Sequence, residues 1–327
     1  LFAENMKSGQ NNTVPSNNCP LVSVAVLTYN NQINIYRTLD SVFFQDYPNI
    51  ELIISDDASR DFDEQNIIKY IEKKSQGNVR NVTINVNKTN LGTVAHANRV
   101  ARLCNGEYIK FLACGDAFYE RASLSRLQQF AESRTENVVV SISLVCSEEL
   151  SKEYYLFPNA RRVRIIKNKA PDELYTVLVF SNIISSVGML LRKQFFDTNG
   201  FDEQYRYLED FPLWLSLSRN GVKIPILDSI TVKYGIGGNS SRFGTAFESQ
   251  LLREDMILCY EKEIIPYLNR LSLINREFVN YQYIKLKSYE NMDKYSKLLF
   301  RGRYLFFDLY VQLKKKIKKS IVRKRDA

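Results

Sequence analysis

Four short polar clusters in this 327-residue chain carry residue types suited to chemistry on nucleotides, phosphates and hydroxyls. The first is Thr28-Tyr29-Asn30. A flat aromatic face flanked by short hydrogen-bonding groups can hold a nucleobase by stacking and edge contacts; the same three residues also serve as turn formers. The second is Asp56-Asp57-Ala58-Ser59, which follows the apolar run ELIIS. Two adjacent carboxylates repel each other and need partners. The imide N–H of uracil or thymine, or ribose hydroxyls, would serve, and so would the N-cap of a following helix. The third lies in FLACGDAF, where Asp116 follows a buried run. A single carboxylate there can hold a divalent ion, because such ions take phosphate oxygens and water as their other ligands. As a lone Asp it is equally a turn residue. The fourth is Glu209-Asp210, which opens an apolar stretch bearing the only tryptophan, Trp214. A carboxylate here can take a proton from an attacking hydroxyl. Acids are also favoured at a helix start by the helix dipole.

These clusters need elements to present them. LVSVAVL (21–27), IELIIS (50–55), VTINVN (82–87) and YIKFLA (108–113) read as strands. Between them, residues 33–45, 62–74 and 93–104 carry apolar residues at helical spacing. Strand and helix alternate over short connections, which predicts an α/β layered fold with a mainly parallel sheet. Ligands of such sheets sit beyond the carboxyl ends of the strands, where the first three clusters fall. Further on, residues 138–146 and 186–192 read as strands, 210–220 as a helix ending at Gly221, and 223–234 as extended chain. Residues 235–244 read as a Gly/Ser-rich loop, and everything beyond 247 as helical.

Composition narrows the class. With 45% hydrophobic and 25% charged residues the chain is an ordinary globular one. Five cysteines without a CxxC pair argue against a zinc ribbon or a secreted disulfide framework and suit a reducing cytoplasm. A single histidine, His96, excludes chemistry needing two and is expected as a partly buried helix residue. No P-loop, nucleophile elbow or complete GxGxxG is present. No apolar run reaches the ~18–20 residues of a spanning helix. The net charge of +9 is concentrated: residues 301–327 hold ten Lys/Arg against two acids, so the body is nearly neutral. That speaks against a nucleic-acid binder. Phe306, Tyr310, Leu313, Ile317 and Ile321 share one helical face beside Lys314–Lys316, Lys318 and Lys319. Such a helix either lies on an anionic membrane or packs on the body with a solvated Lys face. The first 20 residues, polar and Asn-rich, read as a flexible leader of a chain trimmed at its start.

In order and spacing the clusters resemble a family 2 glycosyltransferase of the GT-A fold, of the bacterial surface-polysaccharide type. The resemblance runs from about Leu21 to Ser241. It rests on VSVAVLTYNN, SVFFQDYPNIELIISDDASRD, NLGTVAHANRVARLCNGEYIKFLACGD, GMLLRKQFFDTNGFDEQYRYLEDFPLWLSLSRNG and VKYGIGGNSS. It implies a mixed, mainly parallel, Rossmann-like sheet flanked by helices over 21–244, with a helical C-terminal region over 245–327. It also implies inverting transfer of a sugar from a nucleotide-diphosphate donor, with uridine expected before thymidine. The acceptor would be a hydroxyl of a glycan or lipid-linked glycan, at the cytoplasmic face of the membrane. By residue, it implies that Thr28, Tyr29 and Asp57 hold the base, with Asn30 and Asp56 beside them. Asp116 matches the last acid of the Asp-x-Asp-type element that binds Mg²⁺ or Mn²⁺ and the diphosphate. Asp210 matches the general base, with Glu209 shaping the sugar pocket. One base suffices for a direct displacement, whereas glycosidases use two carboxylates. Two departures stand out. Relatives place two or three acids where this chain has Ala113-Cys114-Gly115-Asp116, and many place a His where it has Tyr234-Gly235. Weak metal binding is therefore expected. A catalytically degenerate relative that binds nucleotide-sugar as a scaffold is the alternative. A sugar-phosphate nucleotidyltransferase ranks below, lacking the Gly-rich basic loop after the first strand.

Overall fold

A computed structural model describes residues 19–198, 200–236 and 250–313. The four expected strands of the first half form a parallel block: β1 (Val22–Thr28), β2 (Ile50–Asp56), β3 (Val79–Val86) and β4 (Tyr108–Ala113). Their order is β3-β2-β1-β4, and the wider sheet continues through β8 (Leu190–Arg192), β6 (Val138–Cys146), β9 (Ile226–Gly235) and β5 (Ala117–Phe118). β7 (Glu153–Phe157) pairs with the outer side of β6. β4–β8, β8–β6, β9–β5 and β6–β7 are antiparallel, while β6–β9 is parallel. The architecture is thus a mixed α/β sheet whose first four strands are wholly parallel and whose second half is mostly antiparallel.

Periodicity explains the covering layers. In α1 (Ile35–Phe43) the residues Ile35, Leu39, Val42 and Phe43 are buried. α2 (Glu64–Lys74) starts on the Asp63 side chain, which accepts from the Asn66 N–H, and buries Ile67 and Ile71. α3 (Thr93–Leu103) buries Val94, Ala97, Val100 and Ala101. α4 (Ser123–Glu132), α5 (Ala160–Asn168) and α6 (Pro171–Leu178) complete the set before α7 (Gln194–Thr198) and α8 (Asp210–Arg219). The strand expected over 186–192 is shorter. Residues Ser186–Gly188 form a 3₁₀ turn, with the Ser185 side chain accepting from the Val187 N–H. Gly188 lies so close to Ser141 that a Cβ would sit 2.5 Å from its carbonyl oxygen, so that approach requires glycine.

Every described residue from 250 to 313 falls in helices or short connections, as expected: α9 (Gln250–Cys259), α10 (Leu273–Lys287), α11 (Lys294–Arg303) and a further helical stretch, 305–313. Leu252, Cys259, Ile264 and Val279 join the same buried cluster as Trp214 and Phe211 of α8. The helical region therefore shares its core with the sheet. Among the described residues no helix is long and apolar enough to cross a membrane. The leader up to residue 18, most of the Gly/Ser loop, the boundary expected at 244/245 and the Lys-rich end from 314 lie outside the described residues.

Candidate active site

The parallel register sets three of the clusters side by side. Thr28 pairs with Asp56, and Leu27 pairs with Ser55 on one side and Ala113 on the other. Beyond these ends the backbone stays tied: the Asp57 N–H donates to the Thr28 carbonyl at 2.9 Å and the Cys114 N–H to the Leu27 carbonyl at 2.8 Å. The Thr28 hydroxyl is buried without a partner of normal hydrogen-bond geometry, lying against the Cys114 thiol. Tyr29 is 46% exposed, an available aromatic face at the rim. Asn30 turns the chain with φ 48°, its N–H donating to the Ser59 hydroxyl at 2.7 Å.

The two adjacent aspartates solve their repulsion in different ways. Asp56 accepts from the Ser59 N–H at 2.7 Å and from the Ser59 hydroxyl. Asp57 points instead into the β3–α3 connection. It accepts from the Asn87 side chain at 2.8 Å, the Asn90 side chain at 3.0 Å, and the Leu91 and Gly92 N–H groups at 3.0 Å. Its carboxylate is thus a hub for protein donors, and Asp56 is the member that lies in register with Thr28. The helix-cap alternative does not apply to either, since Asp63 caps α2.

Asp116 is 3% exposed, and its Oδ1 accepts from the Gly235 N–H at 2.9 Å. Burial raises its pKa to about 7, against the opposing pull of the Gly235 N–H and of Lys110 and Arg37. Lys110 is wholly buried in β4, its ammonium bonded to the Phe111 and Val187 carbonyls at 2.8 and 2.6 Å, and burial lowers its pKa to about 7. Arg37 donates to the Gly115 carbonyl at 3.0 Å and the Glu148 carbonyl at 2.8 Å. Among the described residues no group of three His, Cys, Asp or Glu side chains could cage a metal ion. An ion held by a single carboxylate draws its other ligands from phosphate and water, and Asp116 is the carboxylate that the β4 end presents.

Glu209 and Asp210 lie half-buried at the start of α8. Asp210 accepts from the Asn182 side chain at 3.2 Å, and Glu209 from the Ser186 hydroxyl at 3.2 Å. Burial raises both, with mutual repulsion adding to the rise of Glu209: to about 8 for Glu209 and about 6 for Asp210. The pair connects to the other clusters. Ser186 precedes Val187, whose carbonyl holds Lys110 beneath Asp116. Arg206, just upstream, donates to the Asn90 side chain at 2.8 Å, next to the Asp57 hub. The two cavities of about 550 and 460 Å³ elsewhere on the surface hold none of these residues. The larger lies by Pro225-Ile226, at the start of β9 and away from its Gly235 end.

A family model described as glycosyl transferase family 2 matches residues 23–190, half of the chain and all of the clusters but the last. The chain belongs to this family. An uncharacterized glycosyltransferase of Haemophilus influenzae is 27% identical over 94% of this chain and 98% of its own. WfaP of Escherichia coli, a UDP-Glc:α-D-GlcNAc-diphosphoundecaprenol β-1,3-glucosyltransferase, is 28% identical over 67% of this chain and 79% of its own. The solved structure of S. aureus TarS in complex with UDP-GlcNAc shares the fold, with a TM-score of 0.53 and 17% identity over 81% of this chain and 72% of that one.

Within this glycosyltransferase, several residues around the clusters escape a motif reading. Lys110 left one trace, a Lys inside the apolar run YIKFLA. Asn182 and Ser186, which touch the acid pair, lie in a stretch without a pattern. Asp255 of α9, which binds the backbone ahead of Glu209, is one acid among many on a helix. His96 is buried, its Nε2 2.7 Å from the Ser55 hydroxyl, and burial lowers its pKa. It is a core residue.

Proposed function

We propose that this glycosyltransferase moves a sugar, with inversion, from a UDP-sugar to a hydroxyl of a lipid-linked glycan. The observation that supports the mechanism is the Glu209–Asp210 pair at the start of α8, held by Ser186 and Asn182, where burial raises the proton affinity of both acids. In such a pair one acid is a hydrogen-bond donor to the sugar or acceptor while the other is a carboxylate of raised basicity, and Asp210 is assigned the second role. Asp210 takes the acceptor hydroxyl's proton as its oxygen bonds to the anomeric carbon and the bond from that carbon to the diphosphate oxygen breaks. The nucleoside diphosphate leaves with the bonding electrons. Thr28, Tyr29, Asn30 and Asp56 line the base and ribose, while Asp57 orders the loop beside them. A Mg²⁺ or Mn²⁺ ion, when bound, neutralises the leaving diphosphate and would be held by Asp116. The UDP-linked substrate of WfaP, and its undecaprenol-linked acceptor, support this choice of donor and acceptor.

The test is Asp210→Asn, an isosteric change. UDP affinity should stay within about twofold while UDP release from UDP-glucose or UDP-GlcNAc falls about a thousandfold. EDTA in the same assay should slow the native chain and leave a small residual rate. Native turnover in the variant would refute the base. Nucleotide binding with no turnover by the native chain, across a panel of donors and lipid acceptors, would instead favour the scaffold reading.

An anionic membrane at the cytoplasmic face is the proposed partner of 301–327. In the helical stretch 305–313, Phe307 and Val311 pack against Tyr281, Phe300 and Tyr304. Leu305, Phe306, Leu309 and Leu313 face outward, Phe306 with 73% exposure. An inward apolar face is thus satisfied and a second is left over, continuous in sequence with the Lys-rich end. Each Lys near the surface contributes about 1 kcal/mol. Replacing Leu305, Phe306 and Leu309 by Gln, or ending the chain at 313, should release the protein from phosphatidylglycerol vesicles; undiminished co-sedimentation of both variants would defeat the proposal.

A further inference from the structure

Residues 200–209 run without regular structure and lead through Glu209 to Asp210, the first residue of α8. Such a stretch has no helix or sheet partner for its own N–H groups. Three consecutive ones, of Arg206, Tyr207 and Leu208, converge on one side chain from a distant part of the chain, Asp255 of α9. Arg206 donates to both carboxylate oxygens at 3.0 Å, Tyr207 to Oδ2 at 2.7 Å and Leu208 to Oδ2 at 3.1 Å. Successive N–H groups curled around one point form an anion-binding concavity. Asp255 is only 5% exposed, and no ion pair involving it occurs among the described residues. A buried carboxylate without a cation persists only where hydrogen bonds satisfy it, and here backbone amides of this segment supply them.

The same segment is held from the nucleotide side. The Val94 N–H donates to the Arg206 carbonyl at 3.2 Å, and the Arg206 guanidinium bonds the Asn90 side chain at 2.8 Å. Gly92, at φ +83°, lies so close that a Cβ would sit 2.6 Å from Arg206 Cγ. Asn90 and Gly92 themselves bond Asp57. Two buried carboxylates, Asp57 and Asp255, therefore grip the two loops that abut at Gly92–Arg206, and Glu209-Asp210 emerges directly from the second.

We propose that Asp255 is a positioning residue for Asp210: by gathering the Arg206–Leu208 amides, helix α9 sets where the base stands relative to the nucleotide loop. The inference rests on Asp210 being the base, and the experiment separates the two. In Asp255→Asn one acceptor oxygen becomes an NH₂ facing N–H donors, so the concavity opens. UDP affinity should hold within about twofold. UDP release from UDP-glucose or UDP-GlcNAc should fall 10- to 100-fold in kcat with donor KM unchanged, the size expected of an ångström-scale misplacement. Hydrogen exchange at Arg206–Leu208 should quicken more than tenfold, with β1 and β2 unaffected. Asp255→Glu keeps the charge at a displaced position and should recover part of kcat; it is also the variant to use if the Asn form does not fold. Native exchange at these amides, or native kcat alongside fast exchange, would overturn the proposal. If Asp210→Asn kept its turnover, the base assignment would fall, while the exchange measurement would still report on the clamp.

Discussion

Two regions of the molecule use carboxylates for opposite ends. On the nucleotide side, Asp57 accepts from two amide side chains and two backbone N–H groups. At the mouth of α8, Glu209 and Asp210 receive one side-chain donor each, from Ser186 and Asn182. A carboxylate surrounded by donors ties together the segments that supply them. Two adjacent carboxylates taken out of water become more basic, at a cost to folding. Asp57 is therefore a staple, and the acid pair a proton site held at the expense of stability, the trade expected at active sites.

The sharpest way to break this comparison is to remove each carboxylate and measure stability. Asp57→Ala strands the Leu91 and Gly92 N–H groups and two amide side chains, and should cost about 3 kcal/mol in urea unfolding. Asp210→Asn should leave the unfolding midpoint unchanged or raise it, despite its loss of turnover. If the Asp210 variant proves the less stable of the two, the division between staple and proton site is wrong.

The same division explains what was legible in the sequence. In the first half, strands such as IELIIS are buried along their whole length, so an unbroken apolar run marked β2 to within one residue. The polar residues that followed each run had to fall at one edge of a parallel sheet, which placed Thr28, Asp56 and Asp116. What could not be read was which neighbour each carboxylate would choose. Asp56 and Asp57 are adjacent in sequence, yet one bonds Ser59 three residues on and the other reaches Gly92. The resemblance assigns Asp57 to the base, and its carboxylate also ties down the 87–92 loop, a partner choice that no motif shows. In the second half the partners are more distant still. Asn182, Ser186 and Asp255 act through single contacts that leave no periodic trace. β7 and α5–α6 likewise lie in 148–185, where no motif pointed to them. The Lys-rich helix face was legible only as a choice between two environments, and the part described, 305–313, uses one apolar face for packing and leaves another outside.

A finer test exploits the sign of the acid pair's proton affinity. Glu209 is raised from its ordinary 4.5 to about 8. Between those values the folded chain binds more protons at this site than the unfolded one. The favourable contribution is complete below about 4.5 and is lost as pH rises towards 8. Glu209→Gln keeps the shape and the neutral state at every pH. Its melting temperature should therefore match the native chain near pH 4.5 and exceed it increasingly up to pH 8. Turnover of the native chain should fall as pH drops through about 6, where Asp210 takes up its proton. A gap in melting temperature that stays flat from pH 4.5 to 8 would mean that Glu209 ionises as an exposed acid does. The pair would then offer no separation between a proton donor and a proton acceptor, and the contrast with Asp57 would reduce to a difference in hydrogen bonding alone.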